Sequence, residues 1–110
     1  MKIIHLALAT NNIETSIADY SKRLGAKPCV IIPNEYALWR TPQVNLSIRQ
    51  DNNVKQGELR HLGFEDSTAK AFTSAQDTNG IVWESFAATH QADEINALWP
   101  NADYKYTNFD

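Results

Sequence analysis

Residues 2 to 9 alternate two sets of side chains, Ile4, Leu6 and Leu8 on one and Ile3, His5, Ala7 and Ala9 on the other, and this period of two predicts a strand. The period then lengthens. Ile13, Ile17, Tyr20 and Leu24 recur at helical spacing, with Asn11 and Glu14 placed as a capping box and Gly25 as the stop. Residues 28 to 32 and 36 to 41 read as a strand pair joined around Pro33, Asn34 and Glu35. Next, Val44, Leu46 and Ile48 alternate with Asn45, Ser47 and Arg49 in a further strand. Residues 1 to 50 therefore predict a βαβββ unit. Its last strand turns the apolar set toward the helix, which leaves Asn45, Ser47 and Arg49 on the face that carries His5.

After a polar, turn-like stretch from Asp51 to Gly57, the pattern begins again. Leu59 to Glu65 reads as a strand in which His61-Leu62-Gly63-Phe64 repeats the order of His5-Leu6-Ala7-Leu8: histidine, large apolar, small, large apolar. Such self-similarity marks an internal duplication. Ser67 to Gln76 predicts a second helix anchored by Phe72, Asp77 to Gly80 a turn, and Ile81 to Phe86 a strand carrying Glu84. Farther on, Ile95, Leu98 and Trp99 predict a short amphipathic turn ended by Pro100, and Tyr104 to Phe109 an added strand or an arm on a partner. The expected fold is α+β, a single domain over residues 1 to 110. A first module (1 to 50) is paired with a second, shortened to about βαβ (58 to 86), and followed by a C-terminal tail (87 to 110).

Composition narrows the function. A hydrophobic share of 43% with 21% charged residues is ordinary for a globular chain, and no apolar run is long enough to span a bilayer. The net charge of −3 and the absence of a Lys/Arg cluster argue against nucleic acid, whose binding rests on phosphate neutralisation. The N-terminus carries no secretory pattern, so a cytoplasmic location is expected. Cys29 is the sole cysteine, which excludes an intrachain disulfide; it reads as a small apolar strand residue.

The remaining candidates for chemistry are His5, His61 and Glu84. Two imidazoles and one carboxylate can hold a divalent ion as a facial triad and leave coordination positions open. Taken singly, a strand histidine is more often a hydrogen-bonded core residue than a ligand, and a lone glutamate is more often solvated. The duplication changes that balance, because it sets His5 and His61 at equivalent points of two facing modules. There is no Gly-rich phosphate loop, no CxxC pair and no HExxH segment. His90 lies in the tail and is expected to be exposed.

At these residues the chain resembles the vicinal oxygen chelate superfamily, which includes glyoxalase I, fosfomycin-resistance transferases, extradiol dioxygenases and bleomycin-resistance proteins. His5 in IIHLALAT with the helix SIADYSKRLGA, His61 in RHLGFE, and Glu84 in DTNGIVWESF carry the resemblance, which spans most of residues 1 to 86. It implies that His5, His61 and Glu84 are metal ligands for Fe, Mn, Ni or Zn facing a small oxygen-bearing substrate; strand parity, which puts Asn45, Ser47 and Arg49 on the face of His5, adds the expectation that these three contact that substrate. The tract SKRLGAKPCVIIPNEYALWRTPQVNLSIRQ is similar to the organoarsenical lyase and cadmium-induced subgroup. Three departures matter. Asn45 stands where glyoxalase I relatives hold a glutamate ligand, and no cysteine lies between His61 and Glu84, where the arsenical lyases carry a pair. Only 23 positions separate His61 from Glu84, too few for a full second module. The family's first and last strands are neighbours, so both ligand strands can survive that shortening. An open cup with a bare strand edge is then expected to recruit a second copy as a homodimer. The resemblance implies a metal-dependent lyase, dioxygenase or isomerase; the alternative is a non-catalytic small-molecule binding protein of the bleomycin-resistance type.

Overall fold

The structure, a computed structural model, describes residues 1–109. Seven strands and two helices follow in the order β1 (Lys2–Thr10), α1 (Ile13–Leu24), β2 (Val30–Ile32), β3 (Tyr36–Arg40), β4 (Val44–Gln50), β5 (Leu59–Asp66), β6 (Thr73–Gln76), β7 (Val82–Phe86) and α2 (Ala88–Leu98), with a 3₁₀ turn at Pro100–Ala102. All strands join one mixed sheet of order β2-β3-β4-β1-β5-β7-β6, which makes the fold α+β as expected. In the first half β1 pairs parallel with β4, while β3 is antiparallel to β4. The second half repeats this arrangement, with β5 parallel to β7 and β6 antiparallel to β7. Antiparallel pairing of β1 with β5 joins the halves and sets His5 opposite Gly63 and Ala7 opposite His61.

Alternation along the strands decides which helix covers which face. Ile13, Ala37, Trp39, Leu46 and Ile48 form a core with Leu6, Leu8, Ile17, Tyr20 and Leu24, so α1 lies on the even-numbered face of β1. Full burial of an aliphatic side chain such as Ile48 contributes about 1.5–3 kcal/mol. The α1 N-cap is Asn12, one residue later than expected, because its side chain is the one that accepts the Thr15 N–H. Gly25 ends the helix at φ 64°, a left-handed value that glycine adopts without a Cβ clash. Tyr36 and Leu38 point the other way, toward α2, and pack with Val30 and Ile95.

Three expectations fail. Residues 67–76 form no helix: the Asp66 carboxylate accepts from both the backbone N–H and the hydroxyl of Thr68, fixing a turn, and Thr73–Gln76 pairs with β7. A helix there would have only Phe72 to bury, too little for an apolar face, and Phe72 stacks on Phe86 instead, ring centroids 5.4 Å apart. The second module is therefore three strands, not βαβ. Secondly, the turn expected near Ile95 is a full helix, α2, whose Gln91, Ala92 and Ile95 are buried. Thirdly, of the two forms expected for 104–109 the added strand is not made; the segment runs back along the molecule, where Thr107 O accepts from Arg40 and the Phe109 ring lies 4.7 Å from the guanidinium. Cys29 precedes β2 rather than joining it and is exposed. Among the described residues no helix is long and apolar enough to cross a membrane.

Candidate metal centre

His5 on β1, His61 on β5 and Glu84 on β7 converge on the sheet face opposite α1, and one ligand atom from each lies within 4.8 Å of the others. Nε2 of His61 stands 3.0 Å from Nε2 of His5 and 2.9 Å from Oε1 of Glu84, while His5 Nε2 and Glu84 Oε1 are 3.9 Å apart. Donor atoms bound at about 2.1 Å and at right angles around one ion would be about 3 Å apart, so this spacing fits a divalent cation with little adjustment.

Register explains the convergence. Gly63 is paired with both His5 and Glu84, and a Cβ built on it would run into the Glu84 backbone carbonyl. The absence of a side chain lets β7 close onto β5 and brings Glu84 beside the histidines. Gly63 thus makes room for a neighbouring strand.

The protonation of His5 follows from its partners. The amide nitrogen of Asn45 donates to Glu65 Oε1 (2.9 Å) and Gln91 Oε1 (2.8 Å), which uses both of its hydrogens. Its Oδ1 is therefore the acceptor that faces His5 Nδ1 at 2.8 Å. Nδ1 carries the hydrogen, and Nε2 points its lone pair at His61 and Glu84. Burial holds the His5 imidazole below its ordinary pKa, against the opposing effect of the Asn45 hydrogen bond, so the neutral ligand form prevails. The hydrogen on His61 Nε2 is then the only one among three converging lone-pair donors. An ion taking its place would meet three ligands, which is the chemistry a metal site needs.

Behind Asn45 the network continues into a buried ion pair, with Arg40 Nε and Nη2 donating to Glu65 Oε1 and Oε2 at 2.7 and 2.9 Å. Burial alone would raise the Glu65 carboxyl; hydrogen bonds from Arg40 and Asn45, with the Arg40 charge, outweigh it and hold the carboxyl below its usual range.

In front of the ligands lies a cavity of about 130 Å³, lined in part by Ser47, Arg49, Arg60, Phe72, Glu94 and Trp99. Of the three residues expected to contact substrate, Ser47 and Arg49 face this space. Asn45 does not; it is fully buried behind His5 and positions that ring. Sequence reading missed Arg60, Gln91 and Glu94. Strand parity turned Arg60 away from His61, and the weak apolar pattern of 88–98 hid α2. His90, half-buried, accepts the Ala87 N–H at the start of α2 and does not line the cavity.

No protein-family model matches the chain. It is 31% identical over 101 residues to the trivalent organoarsenical cleaving enzyme of Bacillus sp. strain MD1, across 87% of this chain and 58% of that protein. To the probable trivalent organoarsenical cleaving enzyme of Bacillus subtilis strain 168 it is 33% identical over 67 residues, 59% of this chain and 45% of that protein. The chain thus spans about half the length of the curated relatives it matches. The mixed sheet described above is compatible with a shortened glyoxalase-like module.

Proposed function

We propose that this chain acts as a divalent-metal-dependent lyase of the vicinal oxygen chelate type, with His5, His61 and Glu84 as the protein ligands. The observation that carries this reading is the convergence of their three donor atoms, with the His5 lone pair aimed inward by Asn45. Fe(II), Mn(II), Ni(II) and Zn(II) all suit two imidazoles and a carboxylate. The ion, when bound, supplies a Lewis acid that polarises a substrate oxygen. The chain's own residues do the rest. Asn45 and Gln91 hold His5 in register, Phe86 packs its ring edge-on to His5 at 5.0 Å, and Phe72 and Trp99 wall the cavity. Ser47 and Arg49 orient the substrate from β4.

The relatives' names specify trivalent organoarsenicals. In this chain no thiol lines the cavity, and Cys29, the only cysteine, sits 3.6 Å from the Tyr104 hydroxyl outside it. Soft trivalent arsenic prefers thiolate partners, and the donors here are nitrogen and oxygen. Cleavage of a bond in a harder, oxygen-bearing substrate is therefore the reading adopted for this chain.

Metal analysis of protein purified without chelator, before and after anaerobic Fe(II) loading, tests the site. Near-stoichiometric metal is expected in the parent, with His61→Ala and Glu84→Gln falling well below it. Full occupancy in His61→Ala sinks the reading.

A further inference from the structure

The chain has four arginines. Arg23 pairs with Asp19 and Arg40 with Glu65, whereas Arg49 and Arg60 make no salt bridge or hydrogen bond with any described residue. These two are the ones that line the cavity in front of His5, His61 and Glu84. Arg49 comes from β4, three strands from β7, and lies over the Trp99 ring at 5.4 Å. Arg60 reaches the same space through an irregularity in the sheet. Between β1 and β5 the register jumps, so that Ala7 faces His61 while Leu8 faces Leu59, and Arg60 is the extra residue of a bulge. In a regular strand, neighbours such as Arg60 and His61 would point to opposite faces; the bulge turns both toward the cavity, a known use of bulges beside active sites.

Two guanidiniums at one cavity, neither of them in a salt bridge, repel each other. Glu84 and Glu94 line the same space, and they offset the arginines in sign. A divalent ion on the three ligands would leave the cavity with a net positive charge, unbalanced until an anion enters. The volume of about 130 Å³ is close to that of a cavity able to hold one benzene ring, which limits the occupant to a few carbons or a single ring. Phe72, Phe86 and Trp99 give such a ring apolar walls.

We infer that the substrate of this site is a small organic oxyanion, such as a carboxylate on a short chain or a single ring, anchored by Arg49 and Arg60 while its other end faces His5, His61 and Glu84. This assignment rests on the metal-site reading above and adds the substrate's chemical class to it. Arg49 and Arg60 are the specificity-determining pair, and guanidinium planarity allows each to receive a carboxylate through two parallel hydrogen bonds.

Benzoate and its neutral isostere benzamide are the probes, titrated calorimetrically into metal-loaded and metal-free protein, with Arg49→Met, Arg60→Met and the surface control Lys70→Met. Benzoate is expected to bind at least about tenfold more tightly than benzamide, with each arginine variant losing about tenfold or more and the lysine variant unchanged. The preference over benzamide should persist, weakened, in metal-free protein. Equal binding of the two probes, no benzoate binding at millimolar concentrations, or undiminished preference in both arginine variants overturns the assignment. Metal content is measured on the same samples. A protein that takes up metal but ignores the charge of the probe defeats the oxyanion assignment alone, and one that takes up no metal yet prefers benzoate through Arg49 and Arg60 defeats only the metal reading.

Discussion

At the scale of single residues, the structure separates side chains that face the cavity from those that hold them in place. Asn45 belongs to the second group, and Asn45→Leu is expected to weaken metal binding about 10- to 100-fold, the usual cost of losing a partner behind a metal-bound histidine. Chelator competition on the folded variant checks this. Gln91→Leu keeps the Asn45 to His5 hydrogen bond and should cost less. The buried Arg40–Glu65 pair behind Asn45 makes a second, pH-dependent prediction. The folded Glu65 carboxyl titrates below its ordinary value of 4.5, so its contribution to stability is present above that value and lost as the pH falls through it toward the folded pKa. Urea melts between neutral and acid pH should show this loss, and Glu65→Gln should remove it. At neutral pH that variant should be about 3–5 kcal/mol less stable, because Arg40 is left buried without its counter-charge, and adding Arg40→Met should restore much of the difference. The convergence of His5 and His61 was legible in the sequence because duplication marks equivalent positions, and Glu84 joined them through the resemblance of its strand to the family's. Arg60 was not, since a bulge is a property of two strands together and leaves no trace in the alternation of one.

At the scale of elements, the two halves diverge in how each closes its parallel strand pair. Between β1 and β4 the chain has a helix with four well-spaced apolar residues, which pack on Trp39 and Ile48. Between β5 and β7 it has Ser67 to Phe72 with one large apolar side chain, and the connection collapses into a turn and the short β6. The strands β1 to β5 and β7 were visible from period-two alternation, and α1 from its caps. The boundary at Asn12 and the nature of β6 depended on side-chain to backbone hydrogen bonds that spacing does not encode. Helix α2 was hidden because its buried positions include Gln91, a polar residue satisfied only by Asn45. Gly63 gives the test at this scale. Gly63→Ala should push β7 from β5, lower stability by about 1–3 kcal/mol and reduce metal stoichiometry by displacing Glu84. Thermal melts with metal analysis read both effects, and unchanged values in both would remove Gly63 from the site's construction.

At the scale of the whole molecule, the sheet is covered unevenly. Helix α1 packs on β3 and β4, and among the described residues no helix packs on the same face of β5 and β7, where the absent second helix would have lain. That face presents Leu62, Phe64 and Trp83, with the rings of Phe64 and Trp83 5.8 Å apart, and continues into Ile4, which is 41% exposed. β6 adds a short exposed edge beside it. An apolar sheet face next to an unpaired edge favours association, and a patch that is the same on every copy is satisfied most simply by a twofold partner. The expected outcome is a homodimer through this face. Sedimentation equilibrium across micromolar dilutions should give a mass that moves between that of one chain and two. Phe64→Lys, which places a second ammonium beside Lys2 on the same patch, should shift it to the monomer. The cavity lies on the opposite face, so metal binding in that variant should be retained. A parent protein that stays monomeric at every concentration contradicts the dimer and leaves the metal centre untouched, because all three of its ligands come from one chain.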